Sequence, residues 1–237
     1  MASKTRDSNL PTKSSESEIE AFLRRAAAVP APVAAGDRGR LMFAMDATAS
    51  RGPTWDRACH IQAEMFTETA GLGGLEIQLI YYRGFGECRA SPWLTKSRDL
   101  AAAMTRVFCL GGQTQIAKVL RRAIRETGKK KVNALVFVGD CMEEDPDEIC
   151  HLAGELGLLG VPAFIFHEGG EPAAARTFRQ IAQLTKGAYC AFDASSPRAL
   201  RDLLSAVAVY AAGGRRALGD YSTKTGGETL LLARQVK

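Results

Sequence analysis

Three separated stretches of the chain carry oxygen-bearing side chains to the ends of apolar or glycine-rich runs. In LMFAMDATAS (41–50) an apolar strand stops at Asp46, and hydroxyls follow at alternate positions, Thr48 and Ser50. In GGQT, Thr114 follows a glycine pair and opens a helical pattern. In FVGD a second apolar run ends at Asp140. Two carboxylates and three hydroxyls form an all-oxygen donor set, which suits a hard divalent cation such as Mg2+ or Mn2+. Where hydroxyls ligate, the cation stays electron-poor and accepts a further anionic oxygen, for which an Asp or Glu carboxylate is the natural source. Each residue also has a plain structural use, because Asp, Ser and Thr favour helix starts and turns. Thr114 can cap its helix, and Ser50 can close the turn before Pro53.

The elements that must bring these stretches together alternate regularly from residue 40. Strands are predicted at 40–46, 75–82, 131–140, 161–168 and 188–193. Helices are predicted at about 54–70, 97–109, 114–128, 146–159, 173–187 and 196–214. A short strand at 87–91 follows strand two through the tight turn RGFGE, so that pair must be antiparallel. Strands alternating with helices imply a doubly wound α/β fold, with a mostly parallel six-stranded sheet, one short antiparallel edge strand and helices on both faces. In such sheets ligands sit beyond the carboxyl ends of the strands where the strand order reverses. Strands one and four both end in aspartate.

DATAS, the Thr of GGQT and the Asp of FVGD, in that order, resemble the metal-ion-dependent adhesion site (MIDAS) of von Willebrand factor type A (VWA) domains. That pattern is Asp-x-Ser-x-Ser, a Thr in the next loop and an Asp after the fourth strand. The resemblance covers roughly residues 38–212 and includes the short antiparallel edge strand, here GFGECRAS. It implies a Rossmann-like VWA fold and a metal set of Asp46, Thr48, Ser50, Thr114 and Asp140. It also implies a non-enzymatic, intracellular adaptor module whose Mg2+ or Mn2+ binds an Asp or Glu of a partner protein. Intracellular members of the family serve larger assemblies, including ATPase machines. Thr48 departs from the pattern, since it stands where the family usually has Ser; the hydroxyl is kept, with an added methyl and a restricted rotamer.

Other architectures fit less well. A haloacid-dehalogenase-type phosphohydrolase also places an Asp after strand one, and GDCMEED (139–145) resembles its late acidic motif. That chemistry needs a second carboxylic acid two residues after the nucleophile, and Thr48 occupies the position. A dinucleotide enzyme needs a glycine fingerprint where this chain has DATASRG, and Asp46 there would repel pyrophosphate. A metal-independent scaffold of the same fold stays open.

The remaining features set the background. The net charge of +5 comes partly from scattered arginines and from GKKK (128–131), which suits a helix C-terminus. With no interleaving of basic and aromatic residues, nucleic acid is not an expected partner. Six cysteines stand singly, without a CxxC pair, and no run reaches membrane-spanning length; the chain reads as cytoplasmic, with no membrane role. Residues 1–37 read as a polar tail with a short amphipathic helix (Ile19, Phe22, Leu23, Ala26) and a Pro/Ala linker. Residues 38–214 read as the VWA-like domain and 215–237 as an unassigned tail. Asp145, Pro146 and Glu148 read as a helix start, and Cys141 as a plain small residue beside Asp140. His167 lies on the functional edge, whereas His60 and His151 read as surface or packing residues. Trp93 and the RGFGE tip are candidate partner contacts.

Overall fold

Strand β1 (Gly39–Asp46) is buried along its whole length, as an apolar run covered on both sheet faces must be. It pairs in parallel with β2 (Leu75–Arg83) on one side and with β4 (Ala134–Gly139) on the other. Beyond β2 lies the antiparallel β3 (Glu87–Ala90), and beyond β4 lie the parallel β5 (Ala163–Glu168) and β6 (Ala188–Phe192). The sheet order is therefore β3-β2-β1-β4-β5-β6, the six-stranded, mostly parallel sheet expected from sequence. The computed structural model describes residues 38–192 and 197–236; the predicted N-terminal helix and linker fall outside the described residues.

Side chains alternate across the sheet and divide the core into two layers. Leu41, Phe43 and Met45 of β1, with Val136 and Val138 of β4, pack on one face. That face is covered by α1 (Gly52–Thr69), α2 (Ser97–Met104), α6 (Pro197–Thr225) and α7 (Gly227–Gln235). Met42, Ala44, Leu135 and Phe137 point the other way. They meet α3 (Ile116–Lys129), α4 (Pro146–Leu158) and α5 (Pro172–Leu184). Helix α4 starts as its sequence suggests, with the Asp145 carboxylate accepting from Asp147 N at 2.9 Å and Pro146 in the first turn.

Two glycines shape the sheet's helix-covered face. A Cβ on Gly39 would lie 2.2 Å from Ala211 O, so only glycine lets the start of β1 run against the α6 backbone. Gly214, the predicted end of the last helix, has φ 71° and breaks α6 without ending it. The chain turns there and continues as helix to Thr225. The segment set apart in sequence as a tail therefore packs on the core, with Leu218, Leu232 and Val236 buried. Its signal was hidden by the glycines that make the corner.

Gly39→Ala should lower stability by about 1–3 kcal/mol through overpacking against α6. Urea denaturation should show a lower midpoint with an unchanged slope.

Candidate metal centre

The strand order reverses at β1: the chain goes out to β2 and β3, then returns to β4 on the other side. Connections leaving β1 and β4 diverge at that point and open a crevice beyond their carboxyl ends. Asp46 closes β1, and Asp140 directly follows β4. Ser50 joins the two loops by donating its hydroxyl to Asp140 Oδ2 at 2.9 Å. Its oxygen is thus committed across the crevice and does not close the local turn.

Both carboxylates are half satisfied. Asp46 Oδ1 accepts from Thr48 N at 2.7 Å, while Asp46 Oδ2 is buried without a hydrogen-bond partner. Asp140 Oδ2 accepts from Ser50, while Asp140 Oδ1 is likewise buried and unpartnered. Buried orphan oxygens are uncommon, since each forfeits its hydration. Burial raises the Asp46 pKa, hydrogen bonding from Thr48 opposes that rise, nearby Asp140 adds to it and Arg51 opposes it. A buried acid and a partly exposed one, close together and each with an unused oxygen, fit a small dication.

Thr48 is buried beside Asp46, held through its own amide. Thr114 belongs to a different connection. Its amide donates to Glu143 Oε2 and its Oγ1 accepts from Glu143 N, both at 3.0 Å. It is thereby tied to the loop that carries Asp140, three residues on. The structure thus brings Asp46, Ser50 and Asp140 together around one crevice, and links Thr114 to them through Glu143. Thr114 does not cap α3 with its side chain. Glu144 does so, accepting from Ile116 N at 2.5 Å and Ala117 N at 2.9 Å. The acidic run EED after Asp140 therefore holds the Thr114 loop in place. Among the described residues no three His, Cys, Asp or Glu side chains gather as a metal cluster.

Arg51 is the site residue that sequence reasoning missed. Its side chain is only 2% exposed, with Nη1 3.9 Å from Asp140 Oδ2 and Nη2 paired with Glu168. Thr54 Oγ1 donates to the same Glu168 oxygen at 2.5 Å. A signal was present, since Arg51 is the one charged residue between Asp46 and Asp56, but an arginine directly after a hydroxyl motif ordinarily reads as solvated. His167 is also buried. Its Nε2 lies 2.9 Å from the Asp140 carbonyl oxygen, which can only accept, and its Nδ1 lies 2.9 Å from Tyr189 Oη. It donates from Nε2 and steadies the Asp140 backbone. Trp93 is taken up internally, with Arg40 over its ring at 3.7 Å and Nε1 donating to Glu126 Oε2 at 3.2 Å. Burial, with Asp140 and Asp46 nearby, pushes the Cys141 thiol up to about 12, so it stays protonated and inert.

No sequence-family model and no curated protein sequence matches the chain. Solved structures match its fold. The von Willebrand factor type A protein from Catenulispora acidiphila superposes with a TM-score of 0.54 at 17% identity, over 71% of this chain and 42% of that one. The SpRpn10 VWA domain gives 0.54 at 14% identity, over 71% of this chain and 94% of that domain. Proximal thread matrix protein 1 from the mussel byssus, with a zinc-occupied MIDAS motif, gives 0.58 at 16% identity, over 81% and 52%. The chain spans less than half of the Catenulispora protein and nearly all of the SpRpn10 domain. Its fold is the VWA fold.

Two variants probe the buried charges. Arg51→Met should cost about 3–5 kcal/mol in urea denaturation by stranding Glu168, and adding Glu168→Gln should recover most of that loss. Asp46→Asn should stabilise the chelator-treated protein at neutral pH by about 1–3 kcal/mol, because it removes a buried charge. The folded pKa of Asp46 lies above its ordinary 3.8. The wild type therefore gains stability as pH falls through that raised value, and its gap to Asp46→Asn narrows in melts recorded from pH 7 downward.

Proposed function

We propose that this chain is a non-enzymatic protein-interaction module that captures an acidic side chain of a partner protein through a divalent cation. Asp46, Thr48, Ser50, Thr114 and Asp140 would hold Mg2+ or Mn2+, and the bound dication would supply the positive charge that receives the partner's Asp or Glu. The observation that carries this is the pair of buried, unpartnered oxygens, Asp46 Oδ2 and Asp140 Oδ1, on carboxylates close enough to perturb one another. Support also comes from the fold shared with the mussel protein whose MIDAS motif binds zinc. An adaptor role in a larger assembly, ATPase machines included, belongs to the same proposal; the SpRpn10 VWA domain and the COPII-coat protein Sec24c share this fold. So does a cytoplasmic setting, supported by six unpaired cysteines. Among the described residues no helix is long and apolar enough to cross a membrane.

A second reading, a metal-independent scaffold, is favoured by one observation: Arg51 already offers Asp140 and Glu168 a positive charge. The phosphohydrolase alternative is not favoured, since the position that needs a proton-shuttling acid is Thr48.

Titration calorimetry with Mg2+ and with Mn2+ separates the two. Metal capture predicts a binding heat at millimolar cation or below that Asp46→Ala abolishes. It also predicts partners in a native pull-down that are lost both with EDTA and with Asp46→Ala. An absence of heat together with partners indifferent to EDTA would establish the scaffold instead.

A further inference from the structure

Beside the crevice the surface is apolar and open. Phe85 at the β2–β3 tip is 86% exposed, Phe108 63% and Leu110 46%. These side chains come from two connections that are locked together. Gln113 N donates to Gly84 O at 3.2 Å, and Leu110 lies over Gly84. Arg83 stacks on the Phe108 ring at 4.1 Å, donates to Phe108 O at 2.9 Å and is fixed by Glu87 at 2.9 Å. Leu110 N in turn donates to Ala47 O at 2.9 Å, which joins this shelf to the residue after Asp46. Phe108 and Leu110 are held in the open by these contacts, and large exposed apolar side chains so placed are a binding feature: docking on them orders little that is not already ordered.

The charge around the crevice is lopsided. On the shelf side stands the exposed Lys118, whose ammonium bonds to neutral oxygens, Gly86 O at 2.9 Å and Gln115 Oε1 at 2.8 Å. On the far side the start of α4 exposes Asp145 and Asp147, while Glu148 is paired with Arg121 and Glu143 accepts from Thr114 N. An acidic segment is repelled from α4 and drawn over the shelf.

We propose that Phe85, Phe108 and Leu110 form the specificity surface of the metal site, and that its occupant is an extended segment of a partner protein carrying an Asp or Glu with a large apolar side chain two residues away. Alternate residues of an extended segment project on one side about 7 Å apart, which would let one reach a bound cation while the other rests on the shelf. The inference rests on metal capture of an acidic residue, described above.

The test is a phage-displayed peptide library with a fixed central Glu and random flanks, selected on the full chain in Mg2+. Selected peptides should be enriched in Phe, Leu, Ile, Met or Trp two positions from the Glu. Synthetic versions should bind about tenfold or more weakly to Phe85→Ser and Phe108→Ser, both surface changes that leave the fold intact. Acidic peptides with no apolar preference and full binding to these variants would overturn the shelf while leaving metal capture standing. Binding that survives EDTA and Asp46→Ala yet falls with the shelf variants would support the shelf and remove metal capture. Selection of no peptide would overturn the proposal. So would light scattering showing a dimer, or co-sedimentation with phosphatidylcholine vesicles, that the same variants abolish; the occupant would then be a second copy or a lipid surface.

Discussion

The constraint that organises this molecule is the confinement of two carboxylates in one crevice where each has an oxygen nothing satisfies. Asp46 is fully buried and Asp140 partly so, their like charges repel, and an unpartnered buried oxygen adds the cost of its lost hydration. Folding meets that penalty with a ring of supports. Ser50 donates across the crevice, Arg51 brings a guanidinium near Asp140, and His167 fixes the Asp140 backbone. Glu143 and Glu144 then hold the Thr114 loop against the same connection. None of these contacts touches the two orphan oxygens. The supports hold the two carboxylates from several sides without using either orphan oxygen.

The sheet supplies the rigidity. β1 and β4 are neighbours at the reversal of strand order, and both are buried along their whole length. Their ends cannot shift without disturbing two apolar layers. Asp46 and the Asp140 loop inherit that stiffness. The connections around them are tied crosswise by backbone hydrogen bonds such as Leu110 N to Ala47 O. Sequence-distant segments therefore meet with little freedom left to lose when something binds.

Periodicity made the fold legible. Apolar runs of strand length alternating with amphipathic helices, and one connection too short for a helix, were enough to give the sheet and its antiparallel edge. The carboxylates were legible for the same reason, since each interrupts an apolar run where a strand must end. Position, more than residue type, misled elsewhere. Gly214 carries the left-handed φ of a helix stop yet serves as a corner, because the apolar residues beyond it have the core to pack against. Arg51 was illegible because its partner Glu168 lies 117 residues away at the end of β5. No local pattern encodes an ion pair of that separation. The acidic run after Asp140 was read correctly where its role is local, as the Asp145 cap. It was silent where its role is distant, as the Glu144 hold on α3.

Charge then decides what the crevice can accept. With Glu168 satisfied by Arg51, the remaining pair, Asp46 and Asp140, carries two negative charges when ionised, and in that state it repels any acidic partner. A proton on Asp46, made easier by its raised pKa, relieves part of the repulsion and offers nothing to a carboxylate. A bound dication would relieve it and would supply the positive charge that receives a carboxylate. On the proposed reading, proton and metal would compete for the same buried acid, and only the metal would make the site attractive to an Asp or Glu. Arg51 lies close enough to temper Asp140 and is paired with Glu168, so it is not free to move wholly onto Asp140. Holding that arginine in the dry layer through Glu168 keeps the crevice negative without letting it collapse on its own cation.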